Sequence, residues 1–423
     1  MNRIPDASAF LRLPSGSRWR QPASFFSRPA RALALRGGRL LEWRTGRGLA
    51  TTPYNLSALN KTLRRGRWWL LTGYEFADRL EQLPRRRRAL QGLPELLAVD
   101  FSDSEGDPGI EAVVEVDESS PAGFASFLAA AGLDAPTTRP PDPAQAARSA
   151  HAAGVGEIRA AIKAGEYYQA NLTRQFTRRG DWNTLALADR LNQAARPAYG
   201  FHLKLGDLEL ISISPELLVE SVGGRLRARP IAGSVPRGAT AVADRRLAAA
   251  LRADPKCRAE HEMLVDLMRN DLGRVAQFGS VRVTRRRAVE RHARVLSLVS
   301  TVEAAAAPGR DALDALWAAF PGGTITGCPK VAVTAALRKL EPCARGYYTG
   351  SFGWLHEGEG VFNILIRTLT LTRGRTRGRA GQLATWGAGG GIVHDSRPAA
   401  EWRELRAKAS ALESALAETQ RWR

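Results

Sequence analysis

The sequence is poor in cysteine and has no long apolar run. Its three cysteines, Cys257, Cys328 and Cys343, are too few and odd in number for a disulfide-stabilised scaffold, so a reducing, cytoplasmic compartment is expected. No stretch reaches the roughly 18 apolar residues of a membrane helix. The first 35 residues also lack the apolar core of a secretory signal. No membrane association is therefore predicted.

Acidic residues are also scarce relative to basic ones. The chain has 62 Lys+Arg against 42 Asp+Glu, a formal net charge of +20. The densest basic runs, Arg85–Arg88 and Arg285–Arg287, are not interleaved with base-stacking aromatics, and no zinc-finger spacing accompanies them. We interpret the charge as a solvated, arginine-rich surface and expect no nucleic-acid partner.

The 423 residues, 44% of them hydrophobic, are enough for a large core. Turn-rich stretches at Asp103–Gly109 and Asp134–Pro143 divide the chain. We therefore expect an irregular N-terminus over 1–34, an α+β region over 35–133, a linker over 134–149 and a larger domain over 150–418.

Hydrophobic periodicity predicts an irregular succession of strands and helices. The predicted strands are Trp68–Leu71, Leu96–Phe101, Leu208–Ser214 and Ile364–Leu371. The predicted helices are Ala144–Lys163, Asp244–Ala253 and Ala399–Ala417. Because strands and helices do not alternate regularly, the fold class is predicted to be α+β rather than a doubly wound sheet.

The segment Trp386–Asp395 has four glycines in five positions and is predicted to be a loop. Without Cβ atoms, its backbone N–H groups can approach an anion closely. In the helix that follows, Glu401, Glu404 and Lys408 fall on one face. Such a face is either a solvated salt-bridge ladder or a pair of carboxylates for a divalent cation beside a lysine that contacts the ligand.

A second predicted helix, Ala259–Arg274, carries Glu260 on the face that Leu264 and Leu267 share. A buried carboxylate needs a partner, which a metal ion would supply; alternatively, Glu260 only favours the helix dipole. His261 has no second ligand at zinc spacing, so oxygen ligands and a hard cation are the better interpretation.

Other segments suit a small polyanion. Arg367 stands within an apolar strand, where a buried arginine usually pairs with a carboxylate. Glu216 ends another apolar strand and is suited to proton donation if it is desolvated. Tyr348 lies between glycines in Arg345–Gly350, and Pro321–Lys330 is a Gly/Thr turn that precedes a helix.

Six motifs in one order resemble the chorismate-utilising family, which includes anthranilate synthase component I, aminodeoxychorismate synthase component I, and isochorismate and salicylate synthases. They are Pro230–Ser234, Glu260–Arg274, Pro321–Lys330, Arg345–Gly350, Ile366–Thr368 and Gly387–Gly391. The resemblance covers roughly residues 150–415, and more faintly 35–125. It implies a sandwich of two large antiparallel sheets with helices outside, Mg²⁺ in the cleft, and a chorismate-binding catalytic domain over 150–418.

The resemblance also implies residue roles. Glu260, Glu401 and Glu404 would hold Mg²⁺, which clamps the ring carboxylate of chorismate. Glu216 would protonate the leaving C4 hydroxyl. The implied substrate-binding residues are Ser234, Tyr348, Arg367, Gly387, Gly389, Gly390, Gly391 and Lys408, with Tyr348 and Arg367 on the enolpyruvyl carboxylate.

Members that add water resemble one another in having lysine where this chain has Gln169. A neutral amide cannot activate water, so ammonia is the expected nucleophile. The cysteines form no Gly-x-Cys-x-Gly turn of the glutaminase kind, which implies a separate glutamine amidotransferase partner.

Two departures from the family pattern bear on the product, and a third bears on the metal. Ala232 stands where aminodeoxychorismate synthases carry a lysine. Ser297 stands where most members have a histidine linked to pyruvate elimination, and it is a poor base. Cys257 replaces an acidic residue near the metal, which weakens rather than abolishes Mg²⁺ binding.

Neighbouring motifs such as Thr326–Lys330 resemble those of the aminodeoxychorismate synthases more than those of the anthranilate synthases. The resemblance therefore implies 4-amino-4-deoxychorismate as the product, an intermediate in the biosynthesis of p-aminobenzoate and folate. The alternatives are anthranilate synthase component I, an amination-only enzyme that stops at 2-amino-2-deoxyisochorismate, and a non-catalytic paralogue acting as a binding subunit.

The source of ammonia can be tested on the purified chain. We expect turnover of chorismate with ammonium salts and none with glutamine, because the chain has no glutaminase nucleophile turn. Product formation would be followed by chromatography. Glutamine-supported turnover by the chain alone would contradict the need for a partner.

Overall fold

Runs of apolar and β-branched residues form two sheets that face each other. The computed structural model describes residues 31–44, 46–81, 93–100, 113–115, 124–133, 144–293, 295–376 and 379–420. The predicted turn-rich stretches 103–109 and 134–143, and the first 30 residues of the predicted irregular N-terminus, lie outside the described residues.

The described strands and helices succeed one another irregularly along the chain. The strands are β1 (Arg31–Arg36), β2 (Arg39–Arg44), β3 (Gly48–Pro53), β4 (Arg67–Thr72), β5 (Leu96–Asp100), β6 (Val113–Glu115), β7 (Gln169–Gly180), β8 (Tyr199–Leu205), β9 (Leu208–Ser214), β10 (Leu217–Val222), β11 (Arg225–Arg229), β12 (Ile231–Pro236), β13 (Arg282–Arg291), β14 (Val295–Ala305), β15 (Gly327–Cys328), β16 (Ser351–His356), β17 (Glu359–Asn363), β18 (Thr368–Thr376) and β19 (Arg379–Ile392). The helices are α1 (Leu56–Leu63), α2 (Ala77–Leu80), α3 (Phe124–Ala131), α4 (Ala144–Lys163), α5 (Thr184–Ala195), α6 (Ala241–Ala253), α7 (Pro255–Gly273), α8 (Ala312–Ala319), α9 (Lys330–Leu340) and α10 (Pro398–Thr419), with 3-10 turns at Tyr74–Phe76 and Gly323–Ile325.

The larger sheet has twelve described strands and the smaller has seven. The larger runs in the order β12-β14-β11-β10-β17-β16-β4-β5-β1-β2-β3, with β13 also paired to β14. The smaller runs β15-β7-β19-β18-β9-β8-β6. The β6–β8 pair is parallel and the other described pairs are antiparallel. The predicted α+β sandwich is therefore confirmed.

Aromatic side chains join the two sheets across the central core. Trp69 of β4 stacks on Phe352 of β16 with ring centroids 5.5 Å apart, and Phe352 stacks on Phe201 of β8 at 4.1 Å. Rings of this size bury large apolar areas, so the stack fixes the larger sheet against the smaller one.

Helices cover the outer faces of the sandwich. Helices α7 and α8 pack on the larger sheet, and α5 and α10 pack on the smaller. Leu405, Ala409, Leu412 and Leu416 of α10 are buried at helical spacing, which explains why this helix could be predicted. Among the described helices, none has the length and hydropathy needed to span a bilayer.

The larger sheet contains strands from both sides of the predicted linker. Trp69 of β4 lies opposite Trp354 of β16 in the strand register, so the predicted regions 35–133 and 150–418 share one sheet. Helix α4 begins at Ala144, inside the predicted linker, and β1 begins at Arg31, inside the predicted irregular N-terminus.

The predicted strand Ile364–Leu371 is wrong in its first half. Strand β17 ends at Asn363 in the larger sheet and β18 begins at Thr368 in the smaller, so the residues between them cross from one sheet to the other. Their backbone bonds go elsewhere: the N–H of Ile364 donates to the carbonyl of Glu216 at 3.1 Å. Arg367 closes this crossing with φ +51°, a conformation that a strand residue does not adopt.

A buried ion pair between Arg345 and Glu341 anchors strand β7. Arg345 Nη2 lies 2.7 Å from Glu341 Oε1 and donates to the carbonyl of Asn171 in β7 at 2.7 Å. Arg345 Nη1 donates to the carbonyl of Ile325 at 2.7 Å, and Glu341 Oε1 accepts from the N–H of Thr173 at 3.1 Å. The pair therefore joins the end of α9 to β7 and to the second 3-10 turn.

Removing this arginine is expected to destabilise the fold strongly. Arg345→Ala leaves the buried Glu341 carboxylate without its cation, which costs about 3–5 kcal/mol of unfolding free energy. Urea denaturation measures the loss. The control is Arg269→Ala, which breaks the exposed pair with Asp266 and should cost at most about 1 kcal/mol. Equal effects of the two variants would contradict this role.

Candidate active site

The glycine-rich segment is part of a strand, not the predicted loop. Gly387–Gly391 belongs to β19 and pairs in register with β7, from Gly387 opposite Gln175 to Gly391 opposite Asn171. The prediction failed because glycine is a poor strand former on propensity alone. Here the segment is a strand because its backbone pairs continuously with β7.

Three of these glycines, Gly387, Gly389 and Gly391, have no room for a side chain. A Cβ at Gly387 would lie 2.2 Å from Cδ1 of the buried Tyr348. A Cβ at Gly391 would lie 2.1 Å from Gln169 Nε2 and 3.1 Å from Glu260 Oε1. The predicted residues Tyr348, Gln169 and Glu260 therefore all reach the glycine strand.

Other polar side chains lie next to Gly389 and Gly390. A Cβ at Gly389 would lie 2.7 Å from Asn171 Oδ1, and one at Gly390 would lie 3.5 Å from Glu401 Oε2. The side chain that reaches Gly389 from α10 is Lys408, whose Nζ donates to the Gly389 carbonyl at 3.0 Å. The strand thus receives polar side chains from β7, α7 and α10.

Glu260 is half-buried and held by an amide. Helix α7 begins at Pro255, after Asp254 accepts a capping hydrogen bond from the N–H of Cys257 at 2.7 Å. The second turn carries Glu260, whose Oε1 accepts from Gln169 Nε2 at 3.1 Å. Burial raises the pKa of Glu260, and the Glu404 charge raises it further, while Lys408 acts in the opposite direction. Glu260 and Glu404 are therefore close enough for their charges to interact.

The carboxylates of α10 differ in their surroundings. Lys408 Nζ lies 2.8 Å from Glu404 Oε1 and lowers the pKa of Glu404. Burial raises the pKa of Glu401, with Ser396 and Lys408 opposing and Glu404 adding to the rise. The predicted face of Glu401, Glu404 and Lys408 is therefore one electrostatic cluster with Glu260.

In this structure, these carboxylates are not arranged around a common metal position. Within the described ranges, the structure contains no group of three or more His, Cys, Asp or Glu side chains arranged to hold a metal ion. Instead, Lys408 forms an ion pair with Glu404, and the Gln169 amide donates a hydrogen bond to Glu260. The donor chemistry nevertheless fits a hard divalent cation, since all the donors are carboxylate oxygens, and burial raises the pKa values of two of them, Glu260 and Glu401.

Glu216 is a buried acid beside this cluster. It follows β9, is only 4% exposed, and its Oε1 has no hydrogen-bond partner among the described residues. Burial raises the pKa of Glu216 to about 7, and the backbone of Ile231 and the Lys408 charge offset the rise only in part. A carboxyl with this pKa is partly protonated at neutral pH and can act as a general acid.

Arg367 and Tyr348 are held at the crossing between the sheets. Burial lowers the pKa of Arg367, and no carboxylate among the described residues pairs with it. The φ of +51° at Arg367 is costly for a residue with a side chain, and such strain is concentrated at functional sites. Burial raises the pKa of Tyr348, so its phenol stays protonated and can donate a hydrogen bond.

The remaining predicted residues lie on the larger sheet. Ser234 of β12 is opposite Ser297 of β14, and their Oγ atoms are 2.8 Å apart. Ala232 is buried, and its carbonyl lies 3.3 Å from Nδ1 of His261. His261 also contacts Ser300 Oγ at 2.7 Å through Nε2, which makes it a link between α7 and the sheet.

Sequence reasoning missed Lys256. Its positive charge lowers the pKa values of Glu260, Glu401 and Glu404, although its side chain is half-exposed. The available signal was its position four residues before Glu260, on the same face of α7.

The whole arrangement matches a known family. The family model described as chorismate binding enzyme matches residues 19–414. This chain is a member of the chorismate-binding enzyme family. The resemblance inferred from the six motifs is confirmed.

Relatives of two kinds are about equally similar to this chorismate-binding enzyme. Aminodeoxychorismate synthase component 1 of Bacillus subtilis is 41% identical over 263 residues, 62% of this chain and 54% of the relative. Anthranilate synthase component 1 of Streptomyces coelicolor is 44% identical over 264 residues, 62% of this chain and 50% of the relative. The chain matches about half the length of each of these relatives.

Solved structures share the fold. Anthranilate synthase component I of Streptococcus pneumoniae aligns with a TM-score of 0.73 and 24% identity, covering 97% of this chain and 93% of the other. The menaquinone-specific isochorismate synthase of Escherichia coli aligns with a TM-score of 0.64 and 19% identity, covering 97% and 96%. The same sandwich is thus found in an anthranilate synthase component and in an isochorismate synthase.

The close contact at Gly387 can be tested by substitution. We expect Gly387→Ala to lower the unfolding free energy by about 1–3 kcal/mol, because the added methyl overlaps the buried Tyr348 ring. Thermal denaturation measures the change. Gly156→Ala is the control, since nothing lies within 4 Å of a Cβ there and alanine favours the interior of α4. An unchanged melting temperature for Gly387→Ala would contradict the overlap.

Proposed function

We propose that this chorismate-binding enzyme replaces the C4 hydroxyl of chorismate by an amino group and retains the enolpyruvyl group, giving 4-amino-4-deoxychorismate. The observation that carries the proposal is the Glu216 carboxyl, which burial brings to a pKa of about 7 next to the acidic cluster. Hydroxide is a poor leaving group, so the reaction needs an acid at this oxygen. Ammonia enters, Glu216 donates the proton, and the hydroxyl leaves as water.

The anionic substrate requires positive and donor groups on both sides of the ring. We assign the ring carboxylate to Lys408 and the glycine strand, because Lys408 brings an ammonium group to this strand, where its Nζ donates to the Gly389 carbonyl. We assign the enolpyruvyl carboxylate to Arg367 and Tyr348, a guanidinium without an acidic partner among the described residues and a protonated phenol. Ser234 would border the ring from the larger sheet.

Mg²⁺ is part of the proposal. Glu260, Glu401 and Glu404 would hold it, with carboxylate oxygens that suit a hard cation. When bound, it would supply positive charge that offsets the ring carboxylate. Lys408 and Gln169 are the side chains that would release Glu404 and Glu260 for this purpose.

The buried Gln169 amide supports ammonia as the nucleophile. Its side chain is 2% exposed and donates to Glu260, so it cannot remove a proton from water. We propose that a glutamine amidotransferase partner supplies the ammonia. The relatives of both kinds are named component 1, which agrees with a second component.

The serine pair supports retention of the enolpyruvyl group. Ser297 Oγ is hydrogen-bonded to Ser234 Oγ, and a serine hydroxyl is a weak proton acceptor at neutral pH. The second candidate product is 2-amino-2-deoxyisochorismate. Ala232 favours it, since the buried methyl side chain offers no amine for an adduct at C2.

Product analysis tests the proposal. Incubation with chorismate, Mg²⁺ and ammonium should give 4-amino-4-deoxychorismate, separated by chromatography from its 2-amino isomer. Fluorescent anthranilate as the product would reject the proposal. Absence of any turnover would favour a non-catalytic binding subunit.

The acid is tested by Glu216→Gln and by pH at constant free ammonia. Turnover of the unaltered enzyme should fall as the pH rises through about 7, because Glu216 then loses the proton that it donates. Glu216→Gln should lower kcat by roughly 10²- to 10⁴-fold and abolish this dependence. Glu262→Gln, whose side chain pairs with Arg286 and Arg287, is the control and should behave as the unaltered enzyme. A Glu216→Gln variant with full activity would contradict the assignment.

A further inference from the structure

His292 lies at the turn between β13 and β14, a segment to which the proposed function gives no role. The backbone N–H of His292 donates to the Val295 carbonyl at 2.9 Å, and the backbone carbonyl of His292 accepts from Arg237 Nη1 at 3.0 Å. Arg237 is itself held by Asp244, with Nε donating to Oδ2 at 2.7 Å. The backbone of His292 is therefore held from two directions, so the direction of its side chain is constrained.

The alternation of β13, continued by one residue past its end at Arg291, places the His292 side chain on the face of Ser297. Glu290 lies opposite Ser297, and Arg291 lies opposite Leu296. Because side chains alternate between faces, His292 shares a face with Glu290 and Ser297. Diagonal neighbours in an antiparallel pair have Cα atoms about 7–8 Å apart, within the reach of a ring and a bound ligand.

The imidazole has a buried nitrogen that no described residue satisfies. His292 Nε2 is buried without a hydrogen-bond partner among the described residues. The charged groups that act on the ring are Glu290, Arg367 and Arg229. Glu290 is already engaged, since its Oε1 accepts from Arg229 at 2.5 Å and from Arg285 at 3.0 Å. Among the described residues, the charged group that acts on His292 and has no acidic partner is therefore Arg367.

The charge state of the ring suits hydrogen-bond donation to an anion. Burial lowers the pKa of His292, the Arg367 and Arg229 charges lower it further, and Glu290 opposes them. The imidazole is neutral at pH 7, and with its proton on Nε2 it offers a single buried donor. A neutral donor does not repel the neighbouring guanidinium, so both can bind one carboxylate.

We propose that His292 Nε2 and Arg367 bind the same substrate carboxylate from two sides, which makes His292 a specificity-determining residue for the side-chain acid of the substrate. The inference deepens the proposed function and rests on chorismate as the ligand. It explains why a buried polar nitrogen lies within electrostatic range of a strained arginine that has no acidic partner in the described chain.

Equilibrium dialysis with Mg²⁺ and two ligands tests this pairing. Chorismate carries both a ring carboxylate and the side-chain carboxylate, whereas shikimate carries only the ring carboxylate. We expect His292→Ala to weaken chorismate binding about tenfold or more and to leave shikimate binding unchanged, since one hydrogen bond to a charged group is lost. His292→Gln should restore part of the affinity, because its amide can donate at similar reach.

A control and a second background separate binding from folding. His356→Ala, which alters a histidine in the β16–β17 hairpin, should bind both ligands as the unaltered protein does. In an Arg367→Ala background, His292→Ala should cost far less than tenfold, since the shared anion is no longer held. Thermal melting of each variant shows whether it is folded.

The outcomes distinguish the inference from the proposed function. Failure of the unaltered protein to bind chorismate would overturn the proposed function. Normal chorismate binding by His292→Ala would overturn the inference alone. An equal loss of both ligands with a lowered melting temperature would assign His292 a structural role and also overturn the inference.

Discussion

The Lys408 ammonium is the cation on which the acidic site depends. Its charge lowers the pKa values of Glu216, Glu260, Glu401 and Glu404, which come from the β9–β10 junction, α7 and α10. Burial acts on the same carboxyls in the opposite direction. The balance leaves Glu404 ionised in its pair with Lys408, while Glu216 remains partly protonated near neutral pH. One lysine thus allows a protonated carboxyl, Glu216, and an ionised carboxylate, Glu404, to exist in the same cleft.

Bare backbone makes this balance geometrically possible. Lys408 reaches the Gly389 carbonyl, and Gln169 approaches the glycine strand to hold Glu260. The glycines therefore have two effects: they admit Tyr348 from the neighbouring turn, and they let polar side chains converge from helices on opposite sides of β19. A methyl group at Gly387 would displace the tyrosine ring.

Much of this arrangement could be predicted from the sequence, for identifiable reasons. The apolar-rich segment Leu208–Ser214 is a strand buried on both faces, and the face of Glu401, Glu404 and Lys408 follows from helical spacing. The glycine strand and the crossing at Arg367 could not be predicted. Both depend on which sheet each segment joins, which is a property of tertiary pairing and not of local pattern. Helical spacing likewise does not show that Lys408 pairs with Glu404 and so competes with a metal ion for that carboxylate.

The strands that precede the linker have a consequence for any shortened form of the chain. Strand β4 covers the edge of β16, and Trp69 lies against Phe352 in the stack that joins the two sheets. A fragment that starts near residue 150 would expose the backbone donors and acceptors of β16 together with an uncovered aromatic surface. Open edges of this kind pair with other molecules, so such a fragment would tend to self-associate into insoluble material, even though it would contain every side chain assigned to the chemistry.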